Sequence, residues 1–190
     1  MASNPYQHIT DGELLAQYRA NNNDNKMLGV LLERYTLLLY GVCMKYLKKE
    51  DDAKDAVQQV FEKCIVELQK YEVTYFKSWL YMIAKNYCLM QLRSKGIHVP
   101  LEENVVVASP EQFNKNEAEA KDQSFTNMEV ALLQLSKEQH DCITLFYLQK
   151  KTYMQIAAAT GYGLLQVKSN IQNGKRNLRL IMERMQQHGR

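Results

Sequence analysis

The side chains best suited to chemistry lie between Gln166 and Arg176, in a stretch with no acid before Glu183. Counting about 100° per residue from Val167 places Val167, Ile171, Gly174, Leu178, Ile181 and Met185 on one side of a helix. That apolar stripe must pack on its own domain. The opposite side shows Gln166, Ser169, Gln172, Asn173 and Arg176, with Lys168, Asn170 and Lys175 at its flanks. Glutamine, asparagine and arginine can contact purine edges in bidentate fashion, and lysine and arginine neutralise phosphates. A helix face that is only solvated would be richer in glutamate, so its absence favours a duplex nucleic acid as the partner. Leu165 stands out on this face. Either it packs against the preceding turn or a neighbouring helix, or it offers an apolar contact to a thymine methyl.

No catalytic chemistry is legible. Cys43, Cys64, Cys88 and Cys142 are far apart and form no C-x-x-C pair, which excludes a zinc ribbon or a thioredoxin-like motif by spacing. His8, His98, His140 and His188 are scattered, and the nearest metal-like pair, His140 with Cys142, is too small for a site. No G-x-S-x-G, Walker A or G-x-G-x-x-G motif occurs. We therefore expect no enzyme activity, no metal and no cofactor.

The elements that must position the polar face follow from pattern. The chain has 190 residues, eight glycines and three prolines, too few breakers for an all-β fold. Its net charge of +3 is unevenly spread: +1 over residues 1–94, −3 over 95–124 and +5 over 125–190. Such clustering is an electrostatic footprint for a polyanion. The apolar run near Leu37 to Leu47 is interrupted by Lys45 and by tyrosines, so no membrane insertion is expected. The N-terminus lacks a secretory pattern, which points to a cytoplasmic protein.

From about Asp11 to Arg93 the chain reads as successive amphipathic helices. One carries Leu31, Leu32, Tyr35, Leu38, Leu39 and Val42. The next begins at the acidic cluster Glu50-Asp51-Asp52, where negative charge suits a helix N-terminus. Its apolar positions are Val57, Val60, Phe61, Cys64 and Leu68, and opposite them Asp55, Gln59 and Glu62 have nothing to pack on. After a break at residues 71–75, a helix from Phe76 to about Ser94 carries Trp79, Leu80, Ile83, Tyr87 and Met90. Residues 95–124 contain Gly96, Pro100, Pro110 and an acidic stretch from Glu111 to Asp122, and read as an irregular linker. A short strand at Val105–Val107 is the alternative there. Helical periodicity returns at Phe125: a short helix over Met128–Leu135, a helix capped by Ser136, and a short alanine-rich helix stopped by Gly161. A long helix from Leu164 follows. The short helix, the glycine turn and the long helix make a helix-turn-helix. The expected fold is thus all-α: an N-terminal helix bundle (1–94), an acidic linker (95–124) and a C-terminal helix-turn-helix domain (125–190).

Two blocks resemble a known family. Asp52-Ala53-Lys54-Asp55-Ala56-Val57-Gln58-Gln59-Val60-Phe61 and Phe76-Lys77-Ser78-Trp79-Leu80-Tyr81-Met82-Ile83-Ala84-Lys85-Asn86 resemble region 2 of bacterial sigma factors. Leu135-Ser136 through Tyr147, then Tyr153-Met154-Gln155-Ile156-Ala157 and Val167-Lys168-Ser169, resemble region 4. Two domains without an intervening region 3 are the layout of the extracytoplasmic-function (ECF) group of the sigma-70 family. The resemblance implies a transcription initiation factor that binds RNA polymerase core through its clamp and flap surfaces and reads promoter DNA, with an anti-sigma factor as a regulatory partner. It implies polymerase contact at Asp55, Gln58, Gln59 and Glu62. Contact with the single-stranded minus-10 element is implied for Tyr75, Phe76, Trp79, Lys85 and Asn86, Trp79 having a core position as its alternative. Minus-35 contact falls to Gln166, Lys168, Ser169, Asn170, Gln172, Asn173, Lys175 and Arg176.

Departures from the family pattern carry consequences. Gln59 stands where an acid is usual, which removes charge assistance from that contact. Gly163 replaces the usual serine cap of the long helix, and Asn170 and Asn173 replace arginines, leaving phosphate affinity to Lys168, Lys175 and Arg176. The acidic linker, with Glu111, Glu117 and Glu119, is a candidate occupant of a basic polymerase channel. The rival readings are an ordinary helix-turn-helix regulator with an N-terminal dimerisation or ligand domain, and a helical adaptor that binds no DNA.

Overall fold

The structure, a computed structural model, describes residues 6, 8–20, 25–97 and 115–188, and no strand occurs among them. The chain divides into two compact units, Met1–Asn114 and Lys115–Arg190.

Among its described residues the first unit holds four helices: α1 (Asp11–Ala20), α2 (Asn25–Leu47), α3 (Glu50–Leu68) and α4 (Phe76–Ser94). Thr10 starts α1 through reciprocal bonds. Its Oγ1 accepts the Glu13 N–H at 3.3 Å, and Glu13 Oε2 accepts the Thr10 N–H at 2.7 Å. The backbone bond from Thr10, helped by its hydroxyl, holds the Glu13 carboxyl below the usual carboxylate range. Helix α2 is the central element and packs against α1, α3 and α4. It is long and apolar enough to cross a membrane by length and composition, which the sequence reading did not expect. Here its apolar residues, among them Leu28, Leu31 and Cys43, form the core of the bundle. The helix stops at Lys48, whose φ of 65° is left-handed, and the acidic first turn of α3 follows.

An arginine ties the N-terminal segment to this bundle. Arg34 Nη2 donates to the carbonyls of Tyr6 at 2.6 Å and Ile9 at 2.7 Å, and its Nη1 donates to Asp11 Oδ1 at 2.9 Å. The Tyr35 hydroxyl donates to the other oxygen of Asp11. All four cysteines are buried free thiols. Burial pushes the Cys64 thiol up. At Cys88 a hydrogen bond with Cys43, across α2 and α4, acts in the same direction together with burial.

The second unit departs from expectation at its start. The acidic end of the expected linker is helical: α5 runs from Lys115 to Leu133 and packs on α8. Its sequence is rich in strong helix formers (Glu117, Ala118, Glu119, Ala120, Lys121), but only Ala118 and Ala131 are buried. Alanines so far apart give no apolar periodicity to read. The short helix expected over Met128–Leu135 is therefore the C-terminal end of α5, and the second unit begins at 115 rather than 125. Glu117, Glu119 and Asp122 accordingly belong to this unit, while Glu111 and Val105–Val107 lie outside the described residues.

Helix α6 (Lys137–Ile143) opens with Ser136, whose Oγ accepts the Gln139 N–H at 3.3 Å. It runs on into a π-helical turn, Thr144–Leu148, where the Gln149 N–H donates to the Thr144 carbonyl at 3.2 Å. Then come α7 (Tyr153–Thr160) and α8 (Leu164–His188). Cys142, Ile156, Val167 and Ile171 form the core between them, with Leu145, Phe146, Ala157 and Tyr162 packed around it.

Candidate functional site

On α3 the buried stripe is Ala53, Ala56, Val57, Val60, Cys64 and Leu68. Asp55, Gln58, Gln59 and Glu62 all lie on its exposed side. Gln58 Nε2 donates to Glu62 Oε1 at 3.2 Å and Gln59 Nε2 donates to Glu62 Oε2 at 3.0 Å. The carboxylate is thus oriented by two amides one helical turn away and enters no ion pair among the described residues. Asp55 borders a shallow polar depression with Leu47, Asp52, Tyr87, Gln91 and Lys95. Lys95 Nζ bridges to Asp52 Oδ2 at 2.7 Å across it, tying the end of α4 to the start of α3. That hydrogen bond holds the Asp52 carboxyl below its usual range.

Helix α4 places the minus-10 candidates unequally. Phe76, Trp79 and Asn86 are 3 %, 2 % and 3 % exposed. Phe76 packs between Tyr35 and Trp79 with ring centroids 5.8 Å from each. These three are corrections to the sequence reading: they are buried in the bundle rather than presented at its surface. The physical reason is that α4 is enclosed by both α2 and α3, so an aromatic near its start closes the core. Trp79 takes the core position that was its alternative. Its Nε1 is buried with no hydrogen-bond partner among the described residues. Tyr75 and Lys85 are half-buried. Sequence reasoning passed over Lys77 and Tyr81, which precede Lys85 by eight and four residues and are also half-buried. Their spacing of four along a helix was the available signal. The loop before α4 is held at both sides: Val73 is buried, and Glu72 pairs with Arg19 at 2.7 Å.

The helix-turn-helix is built by local chemistry. Thr152 Oγ1 accepts the Gln155 N–H at 3.3 Å while Gln155 Oε1 accepts the Thr152 N–H at 2.9 Å, closing a capping box at the start of α7. Gly161 ends α7 in the left-handed region, φ 77°, a conformation that costs other residues about 1–2 kcal/mol. Its N–H donates to the Ala157 carbonyl at 2.9 Å. Gly174 lets α8 approach α6, since a Cβ there would lie 2.8 Å from Ile143 Cγ1. Asn177 Nδ2 donates to Gln139 Oε1 at 3.0 Å along the same contact.

Gln166, Lys168, Ser169, Gln172, Asn173, Lys175 and Arg176 are all exposed on α8. Asn173 Nδ2 donates to Ser169 Oγ at 3.1 Å. Among the described residues Lys168, Lys175 and Arg176 enter no ion pair, whereas Arg179 is taken up by Glu183 at 2.7 Å. Asn170 is a correction: it is half-buried on the Cys142 side of the helix and its Nδ2 is fully buried. At about 300° from Val167 it lies nearer the apolar stripe than the polar face. Leu165 is 84 % exposed, so the packed alternative for it does not hold.

Residues 31–97, which contain the whole of α3 and α4, match the family model described as Sigma-70 region 2. Over this stretch the chain is similar to sigma-70 region 2. The match takes in the exposed side of α3 and the half-buried Lys77, Tyr81 and Lys85 of α4. A curated relative, the ECF RNA polymerase sigma factor SigE of Mycolicibacterium smegmatis strain ATCC 700084 / mc(2)155, is 26% identical over 157 residues, 78% of this chain and 59% of that protein. The chain therefore spans about three-fifths of the length of that relative. A solved structure described as CnrH in complex with the cytosolic domain of CnrY aligns with a TM-score of 0.38 and 19% identity, covering 90% of this chain and 95% of that one.

Proposed function

We propose that this chain is a transcription initiation factor of the ECF group, which binds RNA polymerase core and directs it to promoters. The observation that carries the reading is that one chain joins a sigma-70 region 2 match to a separate helix-turn-helix unit whose basic face enters no ion pair among the described residues. In this proposal Asp55, Gln58, Gln59 and Glu62 on α3 meet the polymerase clamp. Glu62 supplies the charge, held in place by its two glutamines. Tyr75 and Lys85, with Lys77 and Tyr81 beside them, meet the minus-10 strand. A tyrosine ring offers a stacking surface and lysines neutralise phosphate. Gln166, Ser169, Gln172, Asn173 and Arg176 read the minus-35 duplex in the major groove, and Lys168 and Lys175 hold its backbone.

Each unit presents a small surface, so neither is expected to bind its element tightly alone. Once polymerase holds one of them, the other acts at a high effective concentration. The role is non-catalytic and cytoplasmic, where polymerase and promoters are. The proposal extends to the polymerase flap as a second contact and to an anti-sigma factor as a regulator.

The test is transcription from a library of bacterial promoter fragments by core polymerase freed of other sigma factors. Adding this protein should produce discrete, promoter-dependent starts. Starts that require a second sigma factor would identify an ordinary helix-turn-helix regulator, and no effect on starts would sink the proposal.

A further inference from the structure

We propose that Leu165 is a specificity-determining residue that reads the 5-methyl group of a thymine in the major groove. The inference rests on the proposed promoter-reading role of α8. A single exposed leucine is ordinary on a protein surface, and position is what distinguishes this one. Leu165, Ser169, Gln172 and Arg176 follow one another at intervals of four, three and four residues and are all exposed. They therefore form one line along the outer face of α8, directly opposite Val167 and Ile171 in the core. With a rise of about 1.5 Å per residue, Leu165 and Ser169 stand roughly 6 Å apart along the axis, close to two base steps.

The chemistry along that line is graded. Arg176, Gln172 and Ser169 donate or accept hydrogen bonds, and Leu165 can do neither. In the major groove only thymine presents a methyl group. Leucine placed against any other edge would bury donors or acceptors without partners, so the same side chain favours thymine and penalises its alternatives. Charge selects DNA over an apolar protein groove as the occupant. Lys168, Lys175 and Arg176 are exposed and outside any ion pair among the described residues, with no acid between Leu165 and Arg176. Leu164 and Met154 are also exposed but lie off this line, and along it every residue beyond Leu165 is polar.

The experiment uses the full chain assembled with core RNA polymerase. Duplexes retained from a randomised pool are resynthesised with deoxyuridine in place of each thymine in turn, which removes the methyl group alone. One substitution in the upstream element should weaken retention about fourfold, the value of one buried methyl-sized group. Leu165→Ala should bind the thymine and uracil duplexes equally, with an unchanged helix content by circular dichroism. Tolerance of uracil at every position, or a uracil penalty that survives in Leu165→Ala, overturns the inference while the promoter-reading role stands. A pool in which the protein enriches nothing beyond core polymerase alone overturns both.

Discussion

Replacing Gly174 by alanine tests how α8 is seated. In an open helix interior the change stabilises by about 0.5–1 kcal/mol, because glycine loses more backbone entropy on folding. At position 174 the new Cβ would sit 2.8 Å from Ile143 Cγ1, 3.3 Å from its Cδ1 and 3.4 Å from Gln139 Cβ. Ile143 is only 4 % exposed and cannot swing into solvent. Overpacking of this kind costs about 1–3 kcal/mol, so the clash should outweigh the entropy gain. A net loss of about 1 kcal/mol corresponds to a fall of about 4–8 °C in the melting midpoint of a unit this size. The chain has one tryptophan, Trp79, in the core of the first unit. Far-ultraviolet circular dichroism therefore follows both units and tryptophan fluorescence only the first. Gly174→Ala should lower the second unit's transition and leave the fluorescence transition in place. Truncating the obstacle should make the two changes non-additive: Gly174→Ala with Ile143→Ala should lose about 0.5–3 kcal/mol less than the sum of the single variants. An unchanged or raised midpoint in Gly174→Ala would refute the reasoning.

Other consequences are local to the first unit or to the turn. Arg34→Ala removes the donor shared by Tyr6, Ile9 and Asp11. It should destabilise the first unit by about 1.5–3 kcal/mol, the range for a hydrogen bond to a charged group, as read by Trp79 fluorescence in urea. Lys48→Gly relieves a left-handed lysine at the end of α2 and should stabilise the same unit by about 1 kcal/mol. The Asp52 carboxyl is depressed by its hydrogen bond to Lys95, so its contribution is complete above the ordinary carboxylate range and is lost as pH falls through that range to the folded value. Asp52→Asn should therefore flatten the acid limb of a urea-midpoint profile below about pH 5 and leave its slope near neutrality unchanged. Thr152→Ala opens the α7 capping box and should cost the second unit about 1 kcal/mol by circular dichroism.

The sequence by itself determined the helices whose signals are local or periodic. The stripes of α3 and α8, the Ser136 cap and the Gly161 stop depend on neighbours within a few residues, and all are readable from residue order. So is the pairing of an acid-free polar face with an apolar one on α8, because a helix sets both faces at once. Only the tertiary structure decided the fate of Phe76, Trp79 and Asn86. Aromatic and amide side chains serve a core and a nucleic-acid surface equally well, and the choice depends on α2 and α3 enclosing α4. The start of the second unit was decided in the same way. Helix α5 packs on α8 while burying only two of its alanines, a contact with no apolar period to announce it. Leu165 reverses the case: its polar surroundings were legible in the sequence, but its exposure followed only once α7, the Gly161 turn and α8 were placed together. Composition records which chemistry a side chain is capable of, and the neighbours brought by folding settle whether that chemistry meets the core or a partner.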